Sequence, residues 1–373
     1  MPSFSDINLN QLDMRAAMSL APDQYTRQDV LDAELEKIFA REWLCVGRAA
    51  DIPEPGDYLV FDHPRVAVMA VRQKNGDIAV LSRVCRHRGA LVAEDSGGST
   101  RLFVCPYHKW TYDLDGTLRG APAMSENSAF DRTDCALPRF RTEIWQGFVF
   151  FSLDPNIAPL APKLAALSER LAAYDLAELA TGFTLEEIWD SNWKVAFENS
   201  CESYHHMGVH GSTLEPIFPT GGVRCEPGSE AFNIHAVPTI AGFTLGGAEG
   251  DANDRPENRA LIVAGIYPAM TIALTGPTAT WFSFTPIDAG HTRVRVGWLV
   301  RHSDDHILPR PDQLARDRAL LATVLREDRA SCAAVQRGLA TADAAAGPLS
   351  PLEQPVAEFA QYLRQRLGLT EAR

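Results

Sequence analysis

Two pairs of residues in the first half of the chain have the types and spacing of a metal site: Cys85-x-His87 and Cys105-x-x-His108. Each sits in a turn-like stretch, VCRHRGA and VCPYHKW, so two loops would close on one centre from opposite sides. Two thiolates and two imidazoles suit tetrahedral zinc, or a two-iron, two-sulfide cluster in which two His replace two Cys on one iron. Zinc fingers usually pair Cys with Cys on one loop and His with His on a helix. Here each loop mixes one Cys with one His, which favours the iron–sulfur cluster. A second group lies in NWKVAFENSCESYHHMGVHGSTLEP, residues 192–216. The spacing predicts a helix from about 192 to 206 on which Glu198, Glu202 and His205 share one face, with His210 turned back after Gly208. Two His and a carboxylate that leave coordination positions open are how a protein holds Fe(II) for oxygen activation. The remaining histidines singled out, His63, His235, His291, His302 and His306, read as surface or core residues.

Cys85-Arg86-His87-Arg88-Gly89, taken with Cys105-Pro106-Tyr107-His108-Lys109-Trp110, resembles the signature of Rieske non-heme iron ring-hydroxylating oxygenases, large (α) component. Position 109 is often Gly in that family and is Lys here. Rieske proteins of respiratory complexes brace their cluster loops with a disulfide; here Ala90 follows Gly89 and the second loop has a single Cys, so the oxygenase type is the better match. Glu202-Ser203-Tyr204-His205 followed by His210 resembles the family's second motif, Asp/Glu-x2-His-x4-His, which selects His205 over His206.

The resemblance implies that Cys85, His87, Cys105 and His108 hold a Rieske 2Fe-2S cluster, and that His205, His210 and an acid on a late helix hold a mononuclear Fe(2+). The matching late stretch is Arg326-Glu327-Asp328-Arg329; Asp328 is assigned, with Glu327 as the alternative because helix register is loose by a residue. It implies also that Glu202 does not ligate iron but bridges His205 to His108 of the partner subunit, so that function needs a closed ring of chains, a homotrimer (α3) in its smallest form. Dioxygen is the implied co-substrate. Electrons would come from NADH or NADPH through a separate reductase, with or without a ferredoxin, since no G-x-G-x-x-G follows a strand.

The form ENSCESYHHMGVH, with Glu where aromatic dihydroxylases usually carry Asp, resembles the demethylating and quaternary-amine monooxygenase branches. The expected reaction is oxidative N-dealkylation (N-demethylation) of a small quaternary amine or a neutral N-alkyl aromatic amide or urea. Aromatic ring hydroxylation or dihydroxylation and O-demethylation are the alternatives; a non-catalytic Rieske electron carrier and a zinc-stabilised interaction module are more remote. Phe218, Phe232, Phe243, Tyr267, Trp281 and Phe282 are candidates for a pocket wall, and such aromatics with a nearby acid would cage a cation.

The elements that must position these groups follow from pattern. YLVFD, VAVMAVR and IAVLSR are short β-branched runs punctuated by Asn75-Gly76-Asp77, and Asp115-Gly116 marks a second tight turn. The reading is an α+β chain: a helical segment over 1–44 that packs with the catalytic domain, an antiparallel β Rieske domain over 45–155, and a catalytic domain over 156–373 whose antiparallel sheet is covered by helices. Helices are expected at 28–42, 160–173 and 312–338, and a strand at FTLEEIW, after which Asp190 or Ser191 would cap the ligand-bearing helix. With 373 residues, two domains are the natural division. A net charge of −13 repels phosphate backbones and anionic leaflets, so neither nucleic acid nor membrane is an expected partner. The start lacks the features of a signal peptide and no apolar run is long enough to span a bilayer, giving a cytoplasmic expectation. Seven cysteines without a regular framework argue against disulfides.

Overall fold

A computed structural model describes residues 12–93, 97–240, 259–276, 278–301 and 311–369. The chain divides into two units, Ala40–Ala161 and Met1–Phe39 with Pro162–Arg373. The helical lead therefore belongs with the second unit, as far as Phe39.

The Ala40–Ala161 unit holds a seven-stranded antiparallel sheet in the order Leu44–Arg48, Phe148–Ser152, Arg139–Trp145, Ile78–Ser82, Val66–Arg72, Asp57–His63, Gly97–Ser99. A three-stranded sheet, Phe103–Val104, Thr111–Tyr112 and Leu118–Gly120, stands beside it. Local chemistry sets the hairpins. Gly76 takes φ +88° while Asn75 accepts the Asp77 N–H at 3.1 Å, and Gly116 takes φ +88° while Asp115 accepts the Thr117 N–H at 2.9 Å. A side chain at Gly116 would also crowd Leu137. Met69, Val71, Leu81, Phe103, Trp110, Tyr112, Leu114 and Leu137 pack into one core, and Cys85 and Cys105 are part of it.

The second unit is built on another seven-stranded antiparallel sheet, ordered Ala180–Trp189, His291–Val300, Thr278–Asp288, Met270–Thr275, Ala260–Ile266, Phe232–Pro238, Arg224–Glu226. Helices Trp193–Ser200, Pro311–Leu339 and Gln354–Leu367 accompany it. The Pro311–Leu339 helix buries Leu321, Val324, Leu325, Asp328 and Cys332, a seam at helical spacing that includes one carboxylate. In the lead segment, the α-helix Gln28–Glu34 ends in a π turn, Leu35–Phe39. Its Glu34 is wholly buried, paired with Lys194 Nζ at 2.6 Å and accepting from Trp193 Nε1 at 2.7 Å. Stripping one member from such a pair costs about 3–5 kcal/mol, because the other charge stays buried. Tyr25 donates to Glu198 at 2.9 Å, so the lead segment grips the Trp193–Ser200 helix at two points.

Two local expectations are corrected. Asn192, rather than Asp190 or Ser191, caps that helix, its side chain accepting the Lys194 N–H at 3.0 Å. The helix also stops at Ser200 instead of running to 206, and a separate short turn covers His206–Val209. Glu202 explains the break: its carboxylate accepts the N–H groups of Tyr204 and His205, which a continuous helix would have turned toward its own carbonyls. Glu198 consequently faces Tyr25 and does not share the face of Glu202 and His205.

Candidate metal centres

The two loops of the β unit are near copies in backbone bonding. Cys85 N–H donates to Ala90 O at 2.9 Å and Gly89 N–H to Cys85 O at 3.1 Å; Cys105 N–H donates to Trp110 O at 2.8 Å and Lys109 N–H to Cys105 O at 3.1 Å. Each loop needs a left-handed residue at the same place, and it is Gly89 at φ +78° in one and Lys109 at φ +61° in the other. The imidazoles of His87 and His108 meet edge to face with centroids 4.6 Å apart, His87 stacks on buried Trp110 at 4.8 Å, and Tyr107 lies over His108 at 3.7 Å. Both thiols are buried and unbridged. Burial pushes the Cys85 thiol up, and neighbouring Cys105 adds to the shift. Burial, then His87 and Arg88, hold the His108 imidazole below its ordinary value. Nδ1 of His87 and Nδ1 of His108 are buried with no hydrogen-bond partner among the described residues. Two buried thiols beside two unpartnered imidazole nitrogens are a donor set that a Rieske 2Fe-2S cluster fits. Tyr112, which sequence reasoning passed over, sends its hydroxyl to Cys85 Sγ at 3.3 Å and accepts the Arg86 N–H at 3.0 Å.

In the second unit, His205, His210 and Asp328 are the group among the described residues whose potential ligand atoms converge, all within 4.8 Å of one another. Nε2 of His210 lies 2.9 Å and Nε2 of His205 3.6 Å from Asp328 Oδ1. The opposite ring nitrogens face other acids: His205 Nδ1 meets Glu202 at 2.6 Å and His210 Nδ1 meets Glu327 at 2.8 Å. Burial opposes charge on both rings; Glu202 then Asp328 for His205, and Asp328 then Glu327 for His210, outweigh it and hold both imidazoles above their ordinary range. A divalent ion entering between the two Nε2 atoms and Asp328 would meet two imidazoles already oriented by carboxylates, so the residues fit a mononuclear iron site. Glu327 meets the Nδ1 edge of His210 and Asp328 the Nε2 edge, so of the two acids it is Asp328 that lies with both Nε2 atoms. Asn199, also missed from sequence, donates to Asp328 Oδ1 at 2.9 Å.

His206 stands apart: its Nδ1 donates to the Phe218 carbonyl at 3.2 Å, and burial, then His205, lower its pKa to about 4. His235 is fully buried against Ser203 at 2.7 Å, and burial lowers its pKa to about 3. His63 is buried and His291 is paired with Asp288, while His302 and His306 lie outside the described residues.

The aromatic candidates scatter. Phe218 packs with Val223, Val237, Leu261 and Val263 beneath the His206 turn. Phe282 pairs in register with Thr271, whose hydroxyl reaches Ser200 at 2.6 Å, and so shares the sheet face covered by the Trp193–Ser200 helix. Phe232 and Trp281 alternate to the other face: their neighbours Asn233 and Phe282 point to the helix side, and Trp281 lies over Gly297. They therefore do not wall a pocket over the triad, a correction that follows from strand alternation once the Thr271–Ser200 contact marks the helix face. Tyr267 stacks on Tyr362 at 4.5 Å and lies tilted against Phe359 at 5.6 Å, a core position. Phe243 lies outside the described residues.

No helix among the described residues is long and apolar enough to cross a membrane. Residues 42–141 match the Rieske [2Fe-2S] domain, and 172–369 match the ring hydroxylating α subunit catalytic domain. The chain is 32% identical over 218 residues to the glycine betaine monooxygenase oxygenase subunit of Pseudomonas aeruginosa, covering 58% of this chain and 50% of that protein. It is 31% identical over 288 residues to biphenyl 2,3-dioxygenase subunit alpha of Rhodococcus jostii, covering 74% of this chain and 61% of that one. The chain thus spans about half to three fifths of the length of these curated relatives. In fold it is similar to a quaternary ammonium Rieske monooxygenase solved with L-carnitine, with TM-score 0.81, 21% identity, and coverage of 96% of this chain and 99% of that one. Since the catalytic-domain match takes in more than half of the residues and follows a Rieske domain, the chain belongs to the Rieske non-heme iron oxygenase α subunits.

Proposed function

We propose that this chain is the terminal oxygenase component of a multicomponent system and carries out oxidative N-demethylation of a small N-methylated compound. The observation that carries the reading is the convergence of His205, His210 and Asp328, with Glu202 locked to the outer nitrogen of His205. When bound, the cluster would supply single electrons and the iron a place for reductive activation of dioxygen. The chain's own task is orientation. Glu202 fixes the His205 proton on Nδ1, and in this reading its carboxylate also receives His108 of the partner subunit, linking one chain's cluster to the next chain's iron in an α3 ring. The electrons would come from NAD(P)H through a separate reductase.

Hydroxylation of an N-methyl carbon consumes one dioxygen, two electrons and two protons and releases water. The resulting N–CH2OH group then loses its C–N bond, giving formaldehyde and the free amine. Similarity to glycine betaine and carnitine monooxygenase oxygenase subunits supports an N-methyl substrate. A second reading, aromatic ring dioxygenation, is favoured by the longer match to biphenyl 2,3-dioxygenase subunit alpha.

The test is aldehyde release during reductant-driven turnover in air, over a panel of cationic and neutral N-methyl compounds. Formaldehyde in step with reductant consumed is expected. Uncoupled oxygen use across the panel, with diol formed from biphenyl-like arenes, would overturn N-demethylation in favour of the second reading.

A further inference from the structure

We infer that Glu327 is a positioning residue for iron, acting through His210, and that Thr213 keeps it in that role. The inference rests on the reading of His205, His210 and Asp328 as the iron-binding group. Consecutive acids of one helix take opposite edges of one imidazole: Glu327 Oε2 holds Nδ1 at 2.8 Å and Asp328 Oδ1 faces Nε2 at 2.9 Å. Adjacent helical residues project about 100° apart, so the same turn reaches both sides of the ring. The Thr213 hydroxyl, three residues beyond His210, donates to the same Glu327 oxygen at 2.8 Å. An ionised carboxylate only accepts, so its two contacts require Nδ1–H and the Thr213 O–H as donors. With Nδ1 held from behind, the ring's other nitrogen, Nε2, faces the place where Asp328 and His205 Nε2 converge, and it is the nitrogen His210 would offer a metal there. Glu327 is itself turned away from that place, and its side chain is 24% exposed against 10% for Asp328.

The arrangement repeats Glu202 on His205 but from a different element. Glu202 comes from the same short segment as its histidine, whereas Glu327 arrives from a helix more than a hundred residues later. The placement of the Pro311–Leu339 helix therefore sets one ligand and orients another. Carboxylates behind metal-bound histidines typically contribute 10- to 100-fold in metal affinity.

The experiment is ferrous-iron dissociation from purified holoenzyme into an excess of chelator, with the cluster's visible and paramagnetic signals followed in the same samples and the melting temperature of the iron-stripped forms measured. Glu327→Gln should weaken iron retention about 10- to 100-fold, with cluster signals unchanged and the iron-stripped melting temperature equal to wild type. Thr213→Val should move iron retention in the same direction by less. Asp328→Asn should abolish stoichiometric iron. Wild-type iron retention in Glu327→Gln would overturn the inference, as would a fall in the iron-stripped melting temperature that accounts for the loss, since that is packing rather than positioning. If Asp328→Asn keeps iron while Glu327→Gln loses it entirely, Glu327 is the ligand and the reading of the site itself fails; if Asp328→Asn loses iron and Glu327→Gln does not, only the positioning role fails.

Discussion

The two metal-binding regions solve the same problem in opposite ways. The cluster loops are local: four donors from two turns with matching backbone bonds, each turn closed by its own amides, with the two imidazole Nδ1 atoms left unpartnered. The iron triad is assembled across the chain, and both nitrogens of each of its histidines face carboxylates. A socket of unpartnered donors depends on where four atoms sit, and thiolate charge balances the metal. A site built of two imidazoles and one acid depends on oriented rings and on remote elements that deliver the groups which orient them. The two centres should therefore fail separately and by different routes.

The strongest test of that separation is a reciprocal pair. Asp328→Ala should remove mononuclear iron and turnover while cluster absorbance per chain stays at the wild-type level, and Cys105→Ala should remove the cluster while iron binding to the triad persists. Loss of both metals from either variant would mean that the centres are not independent. Tyr112→Phe probes the cluster socket without touching a ligand. Removing the hydroxyl that contacts Cys85 Sγ should lower the cluster's reduction potential, because one donor to the thiolate is lost, while cluster content holds. An unchanged midpoint in a redox titration would show that this contact does not tune the cluster.

Glu198 sharpens the contrast from the iron side, as a half-buried acid four residues before Glu202 but on the face that meets Tyr25. Burial raises its pKa to about 8, against the lowering effects of Tyr25 and Lys194. A raised folded-state pKa means that the folded chain keeps a proton the unfolded chain has lost, so this contribution to stability is present below the ordinary carboxylate range and declines as pH climbs through about 8. Melting temperatures taken between about pH 5 and about pH 9 should fall less for Glu198→Gln than for wild type; parallel curves would rule the assignment out. The smallest effect is expected at Lys109, the loop residue in the left-handed region where its counterpart is Gly89. Lys109→Gly removes a side-chain penalty of about 1–2 kcal/mol and adds some unfolded-state freedom, for a net gain of about 0.5–1 kcal/mol in denaturant unfolding. A loss would mean that Lys109 contributes contacts which outweigh its strain.

The cluster motif was legible because its ligands, turns and flanking strands lie within one short stretch, where each donor's neighbours in sequence are also its neighbours in space. His205 and His210 were legible from spacing for the same reason. Less was legible where a side chain's surroundings came from afar. A continuous helix through 202 is what the spacing of Glu198, Glu202 and His205 predicts, and the carboxylate of Glu202 overrides it by capturing the amides of Tyr204 and His205. Which of the two adjacent acids is the more buried was present in weak form, since Asp328 falls on the seam of Leu321, Leu325 and Cys332 and Glu327 does not; what each acid faces was not.

Residue types and short spacings by themselves determined which donors this protein offers its metals and which of its turns must hold them, since those depend on a few adjacent bonds and torsions. Tertiary structure alone decided that Phe232 and Trp281 face away from the triad, that Glu198 answers to Tyr25, and that Glu327 stands behind His210 rather than beside Asp328. Those outcomes rest on strand register and on how one helix lies against another, and both are set by burial summed over many distant residues.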